Sequence, residues 1–207
     1  MHPKVIKMIF PLYSLIRHLI SKFQIYRMLR KGNDILLEVG AGDKKGINGW
    51  ITIDVTRKCD IFWDLRRGIP FPDKSVAKIY SSHFLEHLSF REGQAFLDEC
   101  LRVLINGGSF SICVPNARIY IEAYFMNYKS ENDHFFGYKP AYNNTTKIDS
   151  VNYMAYMDGH HKYMFDKENL IYILENKGFR KARLREFDKD LDLKDRDFQS
   201  IYAQAEK

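Results

Sequence analysis

The chain has 207 residues, the length of one domain with a core of its own. With 45% hydrophobic and 28% charged residues it has the composition of an ordinary globular protein, which excludes disordered, collagen-like and low-complexity classes. A formal net charge of +6 spread over the whole surface would point to nucleic acid or a membrane. The charge is local instead: residues 1–33 hold Lys4, Lys7, Arg17, Lys22, Arg27, Arg30 and Lys31 and no acid, so the remainder is nearly neutral.

That basic segment, residues 1–33, reads as a helix. Leu12, Leu15, Ile16, Leu19, Ile20, Phe23 and Tyr26 recur on one face, with Arg17, Ser21 and Gln24 opposite. Pro11 suits its first turn and separates it from the apolar run Val5–Phe10. The apolar face is expected to pack on the domain that follows. The alternative is a peripheral membrane contact through residues 4–31, with the helix lying on anionic lipid. No uncharged apolar run is long enough to span a bilayer, and the interrupting charges do not fit a secretory signal. Cys59, Cys100 and Cys113 form no C-x-x-C pair, so a cytoplasmic location is expected, at most peripheral at the inner membrane face.

Residues 34–207 read as a single α/β domain. Ile35–Val39 is a buried strand running into Gly40-Ala41-Gly42, and Ile51–Val55 and Ile61–Trp63 are two further short strands. A rigid loop at Pro70–Asp73 precedes strand Ala77–Ser81. A helix over Glu92–Leu104 is expected to stop at Asn106-Gly107-Gly108, where the glycines supply its C-cap. Phe110–Val114 is the next strand. Asp166 caps a helix that ends at Lys177-Gly178, and Arg183–Phe187 with Gln199–Ala205 make a closing strand pair. This alternation implies a mostly parallel sheet.

An insertion at about 117–163 breaks the alternation. It contains Tyr120, Tyr124, Phe125, Tyr128, Phe135, Phe136, Tyr138, Tyr142, Tyr153, Tyr156 and Tyr163. Tyrosine joins apolar area to a hydroxyl, which suits a sugar or aromatic acceptor, although most of these rings are expected to be the insertion's own core.

The most informative segment is Glu38-Val39-Gly40-Ala41-Gly42. A strand ending in G-x-G puts backbone at the carboxyl edge of a parallel sheet, where α/β proteins bind ligands. A dinucleotide fingerprint needs a third glycine where Lys45 stands, and Glu38 would repel a pyrophosphate. A carboxylate there would attract the ammonium and sulfonium of S-adenosylmethionine (SAM). Further along come Asp54 at the end of Trp50–Asp54, Asp64 in Asp60–Leu65, Ser82-His83-Phe84-Leu85-Glu86-His87-Leu88, and Arg102-Val103-Leu104-Ile105-Asn106-Gly107-Gly108. In this order and spacing the chain resembles the class I SAM-dependent methyltransferases, most closely the small methyltransferase type 11 group.

The resemblance implies a Rossmann-like α/β fold with a mostly parallel sheet and an antiparallel final strand. It implies SAM as cofactor, with Glu38, Gly40, Ala41 and Gly42 around its methionine and ribose parts. Asp54 would accept from the ribose hydroxyls, Asp64 would lie near the adenine amine, Leu65 would line the adenine slot, and Ser82 and His83 would complete the set. One departure stands out. Too few residues separate Gly42 from Ile51 for the helix that usually follows, and the N-terminal helix would cover the face left open.

A hydroxyl acceptor needs a general base, and histidine suits neutral pH. The candidates are His83, just past the fourth strand, and His160 and His161 after the insertion; His161 matches a histidine that recurs in the group. His83-Phe84-Leu85-Glu86-His87 also satisfies the H-x-x-E-H zinc-peptidase pattern, but it follows a strand directly, and no metal is expected. Nucleic acid is not expected either, since the body has no basic groove and no N/D-P-P-Y motif. The expected activity is O-methylation of a glycan precursor or similar small acceptor in glycan biosynthesis. The alternatives are a lipid-like or quinone acceptor at the membrane surface, and a non-catalytic methyltransferase-like partner subunit.

Overall fold

A computed structural model describes residues 3–126 and 146–207, with the side chains of the first helix from Tyr13 onward. Tyr128, Phe135, Phe136, Tyr138 and Tyr142 lie outside the described residues, as do the side chains of Val5–Leu12.

Among the described residues seven strands form one sheet. In chain order they are β1 (Leu36–Val39), β2 (Trp50–Asp54), β3 (Ile61–Phe62), β4 (Val76–Ser82), β5 (Leu104–Pro115), β6 (Arg180–Leu184) and β7 (Ser200–Glu206). Their order across the sheet is β3-β2-β1-β4-β5-β7-β6. The first five pair in parallel, while β7 runs antiparallel to both β5 and β6. The reversal of direction between β1→β2→β3 and β1→β4→β5 opens a crevice at the carboxyl ends of β1 and β4, where such sheets hold ligands. Leu37, Val39, Ile53, Ile61, Ile79, Phe110 and Ile112 are fully buried, as apolar runs in a sheet covered on both faces should be.

Five helices accompany the sheet among the described residues: α1 (Pro3–Lys31), α2 (Phe90–Val103), α3 (Ala117–Phe125), α4 (Lys147–Tyr156) and α5 (Lys167–Asn176). Ser89 starts α2 with a capping box closed by Glu92, a signal upstream of the Glu92 start read from the sequence. The glycines after α2 do not cap it. Leu104 takes that position, and the register jumps from Val76↔Leu104 to Lys78↔Ser109, so Ile105–Gly108 form a bulge inside β5. As expected, no helix forms between β1 and β2. β6 begins three residues before the expected Arg183, because its mostly exposed, charged edge carries no apolar alternation to read.

The N-terminal helix reverses one expectation. α1 runs from Pro3 to Lys31 with Pro11 in its interior, so Pro3 is the proline at the start. The apolar face that should have packed on the sheet points outward: Leu15, Ile16, Leu19, Ile20, Phe23 and Tyr26 are all exposed, from 46% to 60%. The polar face packs instead, and β3 explains why. This short strand is the sheet's edge, and its unpaired peptide groups need partners. Ser21 Oγ accepts from the Phe62 N–H at 2.9 Å and donates to the Phe62 carbonyl at 3.3 Å, while Arg17 donates to the Cys59 carbonyl at 3.2 Å. His18 stacks edge-on against Phe62 and tilts over Trp63. Among the described side chains of α1 only Ile25, with Met28 and Leu29 beside it, joins the core.

α3 and α4 are the described part of the insertion and pack on each other. Tyr120 is buried and donates to Gln199 Oε1 at 2.8 Å; Ala117, Ala123 and Met154 complete a small cluster. Of the other described rings, Tyr124, Phe125 and Tyr156 stand exposed, and Tyr153 and Tyr163 are half-buried.

Candidate active site

The crevice begins at the turn after β1. Gly40, at φ +71°, donates its N–H to the Ile53 carbonyl at 3.0 Å, and the Ala41 N–H reaches the same oxygen. A Cβ on Gly40 would lie 2.2 Å from a Phe84 ring carbon. Only glycine therefore lets the 82–88 segment close against this turn. A Cβ on Gly42, at φ +69°, would enter open space. The Gly42 N–H donates to Asp54 Oδ2 at 2.9 Å and the Val55 N–H to Oδ1 at 2.6 Å, so Asp54 is held rigidly where β2 ends. Thr56 Oγ ties the loop further by donating to the Gly42 carbonyl at 2.7 Å.

Glu38 is buried at the end of β1. Burial raises the pKa of its carboxyl, partly offset by Lys44, whose ammonium lies 2.5 Å away. A cation from the chain itself thus meets the carboxylate that the resemblance reserves for the ammonium of SAM. Beyond it, a cleft of about 180 Å³ is lined by Asp54, Trp63, Asp64, Leu65, Phe84 and His87 among others. Asp64 caps a single 3-10 turn, Leu65–Arg67, and pairs with the Arg66 guanidinium at 2.8 Å, which lowers its pKa. Trp63 is fixed by its Nε1–H donating to the Gly68 carbonyl, and Leu65 is buried beneath.

The three candidate histidines take different places. His83 follows Ser82 at the end of β4 with φ +49°. Ser200 spends its hydroxyl proton on the Arg196 carbonyl at 2.6 Å, so His83 Nε2–H must donate to Ser200 Oγ at 3.0 Å. Its Nδ1 lies 3.4 Å from Glu86 Oε1, which leaves both ring nitrogens engaged. His160 is exposed, and only its carbonyl takes part, accepting from His87 Nδ1 at 2.9 Å. His161 is buried with Nδ1 donating to the Met154 carbonyl at 2.7 Å. Burial lowers its pKa and keeps the ring neutral near pH 7.

Sequence reasoning named His161 but missed that Glu86 and His87 join it here. The N–H groups of Lys162 and Tyr163 donate to the Glu86 carbonyl, docking the 160–163 segment on the turn after β4. Glu86, His87 and His161 thereby converge, with one donor atom of each within 4.8 Å of the others. The signal lay in the H-x-x-E-H pattern, whose Glu86 and His87 belong to this group while His83 is turned toward Ser200.

A family model described as a methyltransferase domain matches residues 57–112, the stretch from the loop after β2 into β5. Among solved structures, the chain is similar to a SAM-dependent methyltransferase from Archaeoglobus fulgidus, at 17% identity and a TM-score of 0.52 over 92% of this chain and 94% of that one. A SAM-dependent methyltransferase from Mesorhizobium loti matches at 14% identity and 0.52, over 88% and 97% of the two chains. Phosphoethanolamine N-methyltransferase 2 of Haemonchus contortus, solved with SAM, matches at 10% and 0.50 over 90% of this chain and 52% of that one. No curated protein matches the chain.

Proposed function

We propose that this protein is a class I SAM-dependent methyltransferase that methylates a hydroxyl of a glycan precursor or similar small acceptor. SAM, when bound, supplies a methyl carbon already activated by its sulfonium; the chain's part is to hold and orient. The cleft suits the nucleoside half. Asp54 keeps lone pairs for two vicinal hydroxyls, Leu65 and Trp63 offer apolar walls for a flat base, and Asp64 stands by for an exocyclic amine. The open space over Gly42 leaves room for the rest.

The observation that carries the hydroxyl reading is the convergence of Glu86, His87 and His161, of which His87 lines this cleft. Both imidazoles use Nδ1–H on carbonyls and keep a lone pair for a polar acceptor. The exposed Tyr124 and Tyr156 on α3 and α4 support a sugar-like acceptor.

Two measurements test this reading. In calorimetry, Asp54→Ala should weaken SAM by about 10–100-fold, the loss of about 1.5–3 kcal/mol for hydrogen bonds to a charged group. Failure of the wild type to bind SAM at all would favour the non-catalytic partner subunit. In a labelled-methyl assay against nucleotide sugars, lipid-linked glycans, quinones and RNA, label should enter a hydroxylated small acceptor. Label in RNA alone would overturn the reading.

A second reading, a lipid-like acceptor met at a membrane surface, is favoured by the outward apolar face of α1. That face is flanked by exposed Lys22, Arg27, Arg30 and Lys31, a combination that suits an anionic interface. Among the described residues no helix is long and apolar enough to cross a membrane. The full chain should co-sediment with phosphatidylglycerol vesicles and not with neutral ones. The double variant Leu19→Glu, Phe23→Glu should lose that binding with its Tm unchanged, since both side chains already face water. Equal recovery of wild type and variant in the supernatant would leave α1 with its edge-covering role alone.

A further inference from the structure

We infer that Glu86, His87 and His161 form a divalent-metal site at the edge of the cleft. Three independent features converge on it. The donor atoms lie within 4.8 Å of one another, a spacing that small side-chain movements close around one ion. Carbonyl oxygens only accept, so His87 Nδ1 against His160 and His161 Nδ1 against Met154 must each carry the proton. Nε2 of each ring then holds the lone pair, and the carbonyl partners fix ring orientation as outer-shell partners do in metal centres. Finally, Glu86 is 2% exposed and its Oε2 has no hydrogen-bond partner. A buried carboxylate oxygen left bare is costly, and a cation would satisfy it.

His83 is the positioning residue of this group. Its Nε2 is spent on Ser200, and its Nδ1 faces Glu86 Oε1, which leaves Oε2 as the carboxylate oxygen without a partner. The peptidase arrangement, with His83 as a ligand, is thereby excluded. Two imidazoles and one carboxylate suit Zn²⁺, Co²⁺, Mn²⁺ or Fe²⁺ better than Mg²⁺ or Ca²⁺, which prefer oxygen ligands throughout. Three protein ligands leave open positions, as catalytic metal sites do.

The catalytic consequence rests on the hydroxyl-acceptor reading above; metal binding itself does not. A hydroxyl held at the open position would give its proton to solvent water. Its oxygen would form the bond to the methyl carbon as the carbon–sulfur bond breaks, the electron pair of that bond staying on sulfur. The site thus replaces the imidazole base that the sequence suggests with a Lewis acid.

Full-length protein stripped with chelator and titrated with Co²⁺ or Zn²⁺ tests the site by calorimetry, and Co²⁺ also by its visible absorption. The expected result is one ion per chain. His87→Ala should weaken binding at least about 100-fold, since even outer-shell partners are worth up to that much. Its half-exposed ring makes the variant safe for folding, and the Tm of the metal-free form should stay unchanged. Glu86→Gln should remove the Co²⁺ ligand-field bands. Substoichiometric uptake by the wild type, or unchanged affinity in His87→Ala, would overturn the site. Stoichiometric uptake lost in His87→Ala, with no hydroxylated acceptor ever labelled, would uphold the site and overturn the acceptor reading instead.

Discussion

Asp192→Ala is expected to destabilise the protein by about 3–5 kcal/mol, the usual cost of removing one partner from a buried ion pair. Asp192 has no exposed side-chain surface, and Arg185 grips it with two guanidinium nitrogens, at 2.5 Å and 2.8 Å. The same carboxylate accepts from Tyr80 Oη at 2.9 Å and from the Asp188 N–H at 2.7 Å. Burial, and the Asp192 carboxylate beside it, push the Tyr80 phenol well above its ordinary pKa, so it remains a donor across the usable pH range. Alanine would strand the guanidinium and the phenol together. In a chain of this size the Tm should fall by about 10 °C or more. Asp192→Asn, which keeps the shape and one acceptor oxygen, should fall less. A drop under about 2 °C for the alanine variant would mean that Arg185 finds water at little cost. The network matters beyond stability because Tyr80 sits two residues before Ser82, on the strand that delivers His83 and Glu86.

The parts of this molecule legible in its sequence are those where burial and chemistry agree. Ile35–Val39 reads as a strand because all its side chains but Glu38 are apolar, Leu37 and Val39 being fully covered, and Gly40 and Gly42 read as a ligand turn because φ near +70° demands them. Asp54 and Asp64 are found at strand ends on one cleft, as their spacing suggests. Where the two disagree, reading fails. The face of α1 was assigned by apolarity, but the edge of β3 needs hydrogen-bond partners, and Ser21 supplies both to Phe62. A helical periodicity tells which residues share a face and says nothing of which face a neighbouring strand requires. The Glu86–His87–His161 group was missed for a different reason. Its members come together through backbone bonds from Lys162 and Tyr163 to Glu86, across more than seventy residues of chain, and no local pattern encodes that docking. Asp192 and Arg185 were invisible likewise, as charged residues in a stretch that looks solvated until Tyr80 is seen above them.

Gly40→Ala and Gly42→Ala should separate packing from ligand binding within three residues of chain. Both glycines have positive φ, so alanine at either costs about 1–2 kcal/mol of backbone strain. At Gly40 the new methyl would also lie 2.2 Å from the Phe84 ring, which packs edge-on against Phe96 and would have to shift toward the cleft. Overpacking adds about 1–3 kcal/mol, which brings the expected Tm loss to about 10 °C. Because Phe84 leads directly to Glu86 and His87, SAM binding and metal uptake should both fall in this variant. At Gly42 the methyl meets nothing within 4 Å, so the Tm should drop by only about 2–8 °C. The space it enters is where the resemblance puts the methionine and ribose of SAM. Gly42→Ala should therefore weaken SAM in calorimetry far more than its strain explains, with Co²⁺ uptake intact. Unchanged SAM affinity in Gly42→Ala would move the cofactor off this turn and toward the Asp64 end of the cleft.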